Sequence, residues 1–296
     1  MPTTTTSEQH PVRGRRRPAL RGLLAGTALA TAMSTIPVTA AHATPADAAQ
    51  TPSARAASAC GTPLSEEEQR TVIALSDTST LDGDDPLERF DEAVARNRKI
   101  TAILVRHHDR RGLFAVGLDA MEREVMQPLL HETEFADPDF GHAFTPGLLR
   151  RYLEILHDEF LGRPVPPHWK RHFDLAHRCD SSPVRTAMTG YNAHLTVDVG
   201  ESLADARAGL GDGPDYLTIT GALLERNAVV VERTKQAYGV DLGGVWQLVA
   251  TTGPAMYAIS FVNGLGLQIP LAGPVFKTEA EAVWRTTDAV LSAATA

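Results

Sequence analysis

After residue 62 almost every long stretch spaces its apolar residues three and four apart, and no stretch alternates them cleanly with a period of two. A period near 3.6 gathers apolar groups on one stripe of a helix, whereas a half-buried strand needs a period of two. The chain is therefore restricted to a mainly α, single-domain helical bundle. Helices are expected over "LSEEEQRTVIALS", "PLERFDEAVARNRKITAILVRHH", "LFAVGLDAMEREVMQPLLHETEF", "YLTITGALLERNAVVVERTKQAYG" and "KTEAEAVWRTTDAVLSAATA". Asp85 and Pro86 open one of them, Thr145 and Pro146 open another that closes at Gly162, and Gly239 ends the long fourth stretch. "MYAISFV" leaves a small hairpin near the C-terminus open.

The first residues speak to compartment. A basic cluster at Arg13, Arg15, Arg16 and Arg17 precedes a weakly apolar run and the small-x-small site Ala41-His42-Ala43. That order is an export signal, by the twin-arginine or the general secretory route. The expected organisation is a signal peptide over 1–43, a flexible Ala/Ser/Thr/Pro arm over 44–62 and a helical domain over 63–296. The whole chain carries a net charge of -8, and loss of the signal removes five arginines and one glutamate, leaving it more acidic. An acidic chain without a basic stripe argues against nucleic acid as a partner, and no apolar run suits stable membrane insertion. In an oxidising compartment the two cysteines, Cys60 and Cys179, can pair and fasten the arm to the body.

One short segment holds most of the chemistry. In "TAMTGYNAHLTVDVGESL" an amide, an imidazole and a carboxylate sit among small and apolar residues at Asn192, His194 and Asp198. His194 and Asp198 are four apart and so share a helix face, with the bare backbone of Gly190 one turn earlier. Asn192 points elsewhere and suits a tie to a neighbouring helix or a substrate hydrogen bond. Three readings stand for the pair: ligands of a divalent metal (zinc, manganese or iron), an acid–base couple, or a packing hydrogen bond. A metal needs further donors, and Glu154 with His157, three apart in "RYLEILHDEF", are the best placed by spacing.

Other candidates read more simply as surface. Glu225 with Glu232 and His131 with Glu134 suit solvated faces, and His107, His108, His168, His172 and His177 suit surface or groove positions. Trp169 and Phe173 suit core anchors. Arg150, Arg151, Lys170 and Arg171 are a reserve of positive charge for an anionic substrate. The chain lacks a Gly-x-Ser-x-Gly elbow, a His-Glu-x-x-His pair, a phosphate loop, a dinucleotide fingerprint and a Cys-x-x-Cys pair.

From roughly Phe90 to Tyr238 the sequence resembles a bacterial family, frequent in actinobacteria, of unknown function. Trp169 and Phe173 match one of its elements; Gly190, Asn192, Ala193, His194 and Asp198 match a Gly-x-Asn-Ala-His-(Ile/Leu)-x-x-Asp helix; Asn227 matches a later asparagine. Tyr191, Leu195, Thr196 and Val199 depart from the usual form, and Thr196 stands where a polar amide is usual. The resemblance implies an α-helical fold and a functional unit of Asn192, His194 and Asp198, without naming a reaction.

Three functions follow. The first is an exported metal-dependent hydrolase, with His194 and Asp198 as ligands or base and orienter, Asn192 as a brace, and Glu154 and His157 completing the site. The second is a binding module for a small molecule, lipid or peptide, in which the same helix lines a pocket with Tyr152, Tyr191, Phe160 and Trp169. The third is a non-catalytic structural module.

Overall fold

The structure is a computed structural model that describes residues 58–83 and 85–295. The expected signal peptide, and the arm up to residue 57, lie outside the described residues. Twelve α-helical segments make up the described chain: α1 Glu66–Ser76, α2 Pro86–Arg106, α3 Gly112–Met121, α4 Gln127–Glu132, α5 Pro138–Leu161 and α6 Pro167–His177, then α7 Pro183–Ala193, α8 Val199–Asp205, α9 Gly213–Glu225, α10 Ala228–Tyr238, α11 Gly243–Leu267 and α12 Gly273–Ala294. No strand occurs among the described residues. Two π-helical turns, Glu122–Met126 and His194–Asp198, join α3 to α4 and α7 to α8 without breaking either run. Among the described residues no helix is long and apolar enough to cross a membrane.

Local chemistry explains most boundaries. Ser65 and Glu68 form a reciprocal capping box at the start of α1. Asp85, Asp137 and Ser182 accept hydrogen bonds from the first turns of α2, α5 and α7, each with proline at the opening position. Gly162 and Gly239 close α5 and α10 in the left-handed conformation.

Three expected boundaries are corrected. Asp137 and Pro138 already open α5, which leaves Thr145 and Pro146 inside it. The stretch expected as one helix up to Gly239 breaks at Arg226 and Asn227, where the Asn227 amide oxygen accepts from the Trp246 indole N–H at 3.1 Å. "MYAISFV" is helical and lies wholly within α11.

The core is centred on Phe114 of α3. Its ring lies 5.0 Å, centroid to centroid, from each of Tyr152, Trp169 and Tyr191, and 5.2 Å from the His194 imidazole. Gly190 permits that approach: a Cβ there would lie 2.9 Å from the Phe114 Cβ and 3.0 Å from the His172 ring. Gly264 plays the same part for α11, since a Cβ would lie 2.5 Å from the Leu203 Cβ. The close crossing lays α11 along α8 and the second π-turn.

The start of the described chain is tied down. Cys60 and Cys179 form a disulfide with Cα atoms 5.1 Å apart. Beside it the Ala59 N–H donates to the buried Asp109 carboxylate, and the Ala59 carbonyl accepts from the Arg110 N–H. Asp109 also receives the Arg111 guanidinium, which lies over the Phe160 ring at 4.0 Å. The disulfide spans 119 residues, so it removes a large share of the freedom of the unfolded chain. Replacing both cysteines by serine should cost about 2–5 kcal/mol; urea unfolding of the variant against the oxidised protein measures it, and an unchanged midpoint would contradict this account.

Candidate functional site

Asp198 closes the second π-turn and is fully buried. One carboxylate oxygen accepts from the Trp169 indole N–H at 2.9 Å, and the other lies 3.2 Å from His168 Nε2. His194 Nδ1 stands 3.5 Å from the first of these oxygens, within ion-pair distance but without the geometry of a hydrogen bond. Burial opposes the charge on Asp198, yet these hydrogen bonds and the two imidazoles outweigh it and hold the pKa below the ordinary carboxylate value.

The π-turn itself is well supported. The Val199 N–H reaches the His194 carbonyl, five residues back, which widens the helix by one residue. Widening strains the normal ladder, and side chains serve the loosened carbonyls: Thr196 Oγ1 donates to Asn192, and Ser260 Oγ of α11 donates to Leu195 at 3.0 Å. With Nδ1 toward Asp198, the opposite edge of the His194 ring, carrying Nε2, faces the other way.

His194 lines a cavity of about 100 Å³ bounded by α3, the two π-turns, α5, α7, α8, α9, α10 and α11. Phe144, Leu148, Ile219, Leu223, Trp246 and Met256 make its walls mainly apolar, with Thr145, Asn227, Tyr191 and Tyr257 adding polar atoms. Its carboxyl group is Glu122, the first residue of the other π-turn. Glu122 is buried, and its Oε2 has no hydrogen-bond partner among the described residues. Burial, helped by the negative charge of Asp119 one turn away, pushes its pKa up to about 8. At neutral pH the group is mostly an uncharged acid.

The sequence expectations divide on this geometry. His194 and Asp198 come together as spacing implied, and Trp169 and Phe173 are core residues. Asn192 is buried and donates to the Trp284 carbonyl at 2.9 Å, tying α7 to α12 away from the cavity wall. Glu154 and His157 do not join the pair. Glu154 accepts from Thr78 at 2.9 Å, just beyond the end of α1, while His157 Nδ1 sits 2.9 Å from the Ile73 carbonyl and 3.3 Å from Ser76 of α1, so both serve contacts with the N-terminal part of the bundle. Among the described residues no three His, Cys, Asp or Glu side chains are placed to hold a metal, so the four-residue ligand set is not assembled.

His168 and His172, expected at surface or groove positions, are buried because α6 turns both, with Trp169 and Phe173, toward the core. Burial pushes the His172 pKa down to about 4, against the pull of the Thr186 carbonyl on Nδ1. The expected reserve of positive charge is spent locally: Arg151 pairs with Glu201 and Asp205, Lys170 with Asp174, Arg171 with Asp288, and Arg150 reaches Glu154 at 3.9 Å. Glu122 carried a signal that spacing alone would have revealed. Leu118, Val125 and Met126 lie three and four residues away, which places an acid on the apolar face of its helix.

A model for a family of unknown function, DUF5995, matches residues 90–257. The chain belongs to that family. The match spans α3, both π-turns and most of α11, and so takes in nearly all of the cavity wall. No curated protein and no solved structure matches the chain.

Two measurements test this geometry. Asp198→Ala strips the Trp169 and His168 donors of their acceptor inside the core and should cost about 3–5 kcal/mol, read from urea unfolding by tryptophan fluorescence. Glu122 binds its proton more tightly in the folded than in the unfolded chain, so it favours folding at low pH. That contribution is lost as pH rises from the ordinary carboxylate value through about 8. Glu122→Gln, which cannot ionise, should therefore gain on the native protein by several kcal/mol between pH 5 and pH 9. Parallel stability curves would refute the raised pKa.

Proposed function

We propose that this chain is a binding protein for a small, mainly apolar molecule, held in the cavity between the two π-turns. The observation that carries the reading is the cavity itself: a preformed apolar space of about 100 Å³ with a few polar groups at fixed places. Apolar cavities of about 150 Å³ take up a benzene-sized guest, so a single ring fills this smaller space and reaches into its partly exposed side. Ligand sites combine an apolar lining with a small number of fixed polar atoms, and π-turns recur at functional sites. Met121, Leu195, Leu223, Val249, Ala250 and Met256 of the lining are partly exposed, so the cavity is not sealed from solvent. Export of the protein accords with the Cys60–Cys179 disulfide.

A second reading, acid–base chemistry on the bound molecule, rests on His194 being backed by Asp198 while lining the same wall. An imidazole so oriented has the arrangement of a general base. The metal-dependent hydrolase lacks comparable support, because its donors serve other contacts.

Toluene is a suitable first probe, being apolar and close to benzene in size. Calorimetric titration of the oxidised protein should detect one toluene per chain. Ala250→Phe, which adds a ring on the cavity wall, should abolish uptake while leaving the helical circular dichroism intact; Ala250→Leu should weaken it. Equal toluene affinity in the native protein and both variants would remove the cavity as the site.

A further inference from the structure

Glu122 is an acid without a counterpart. The neighbouring cation on its own helix, Arg123, is held by Asp119 at 3.1 Å, and Arg233 of α10 is held by Glu124 at 2.8 Å. From the facing elements α5 offers Phe144, Thr145 and Leu148, α9 offers Ile219 and Leu223, and α11 offers Trp246 and Tyr257. The second π-turn offers His194, whose Nδ1 is turned to Asp198. No lysine or arginine lines the cavity among the described residues. A buried polar atom left without a partner costs free energy, so a cavity that keeps one favours a guest that supplies the missing group.

The surroundings discriminate among guests. Glu122 is the one carboxyl group of a lining that holds no lysine or arginine among the described residues, which disfavours an anion. Phe114, Phe144, Tyr191, Trp246 and Tyr257 are aromatic residues of the lining, and aromatic rings attract cations. A neutral carbonyl compound would accept the Glu122 proton as a hydrogen bond but would use neither of these features.

Resting on the ligand-binding reading above, we propose that the cavity takes apolar amines, with the Glu122 carboxyl group as the anchor for the nitrogen. The amine arrives as an ammonium ion and Glu122 gives up its proton to solvent. The complex is then an ammonium–carboxylate pair of zero net charge, with the hydrocarbon part against Phe144, Ile219 and Leu223. No bond to carbon forms or breaks.

Benzylamine and toluene differ by one amino group and separate this proposal from the reading beneath it. Both are titrated calorimetrically into native protein and into Glu122→Gln, which keeps the size of the side chain but cannot ionise. Toluene should bind both proteins alike, which also verifies that the variant folds. Benzylamine should bind the native protein at least tenfold more tightly than the variant. If toluene binds and benzylamine does not, or benzylamine binds both proteins equally, amine recognition is overturned and the apolar site stands. If neither probe binds the native protein, the cavity is not a ligand site and both readings fall together.

Discussion

A single buried carboxylate organises this bundle. Asp198 has left water entirely, and an isolated charge in that position would be far too costly to persist. The Trp169 indole, the His168 imidazole and the His194 ring make it tolerable, and in doing so they lock α6 against the second π-turn. Trp169 then packs edge-on against Phe114, and Phe114 meets Tyr152, Tyr191 and His194. The aromatic centre of the protein thus depends on one anion for its orientation. Packing alone would leave the His194 ring free to turn about its bonds; the neighbouring carboxylate selects one face for it.

Two carboxyl groups on two π-turns have been driven in opposite directions by their surroundings. Asp198 keeps its charge because donors converge on it, whereas Glu122 loses its charge because none does. Pairs of acids separated in this way commonly mark sites where an uncharged acid and a fixed anion have different tasks. Here the fixed anion stands beside a wall residue, and the acid with the raised pKa belongs to the cavity lining. Widened helical turns suit both duties, since the extra residue swings side chains out of the regular row.

Much of the fold was legible from periodicity, because each helix buries a stripe and each start uses a recognisable cap. Asp85 with Pro86 is a local signal read correctly. Thr145 with Pro146 is an equally good local signal that fails, since Asp137 and Pro138 had already begun the helix and proline can sit within a helix whose other bonds persist. His194 with Asp198 was legible because helical neighbours four apart meet whatever the tertiary fold. Glu154 with His157 satisfied the same rule internally, but what their face meets is a property of the assembled bundle, and it meets α1 and the turn after it. The burial of His168 and His172 was hidden for a related reason: lysine and arginine between them suggested solvent, while the helix simply carries those two charges on its outer side. Neither π-turn has a sequence signature that spacing could expose.

Each π-turn holds one residue more than an α-helix would need to cover the same length. Seen as a change in a gene, each is a single-codon insertion that the bundle has absorbed without losing either flanking helix. Removing that codon from the second turn would restore regular winding but rotate everything beyond it by about 100° relative to what precedes it. Asp198 and His194 would no longer address Trp169 and the cavity from their present sides, and the close crossing of Leu203 with Gly264 of α11 would turn away as well. The fold therefore offers descendants of this chain an unusually compact route to altered binding: one inserted or deleted residue within a helix changes which side chains face the chamber.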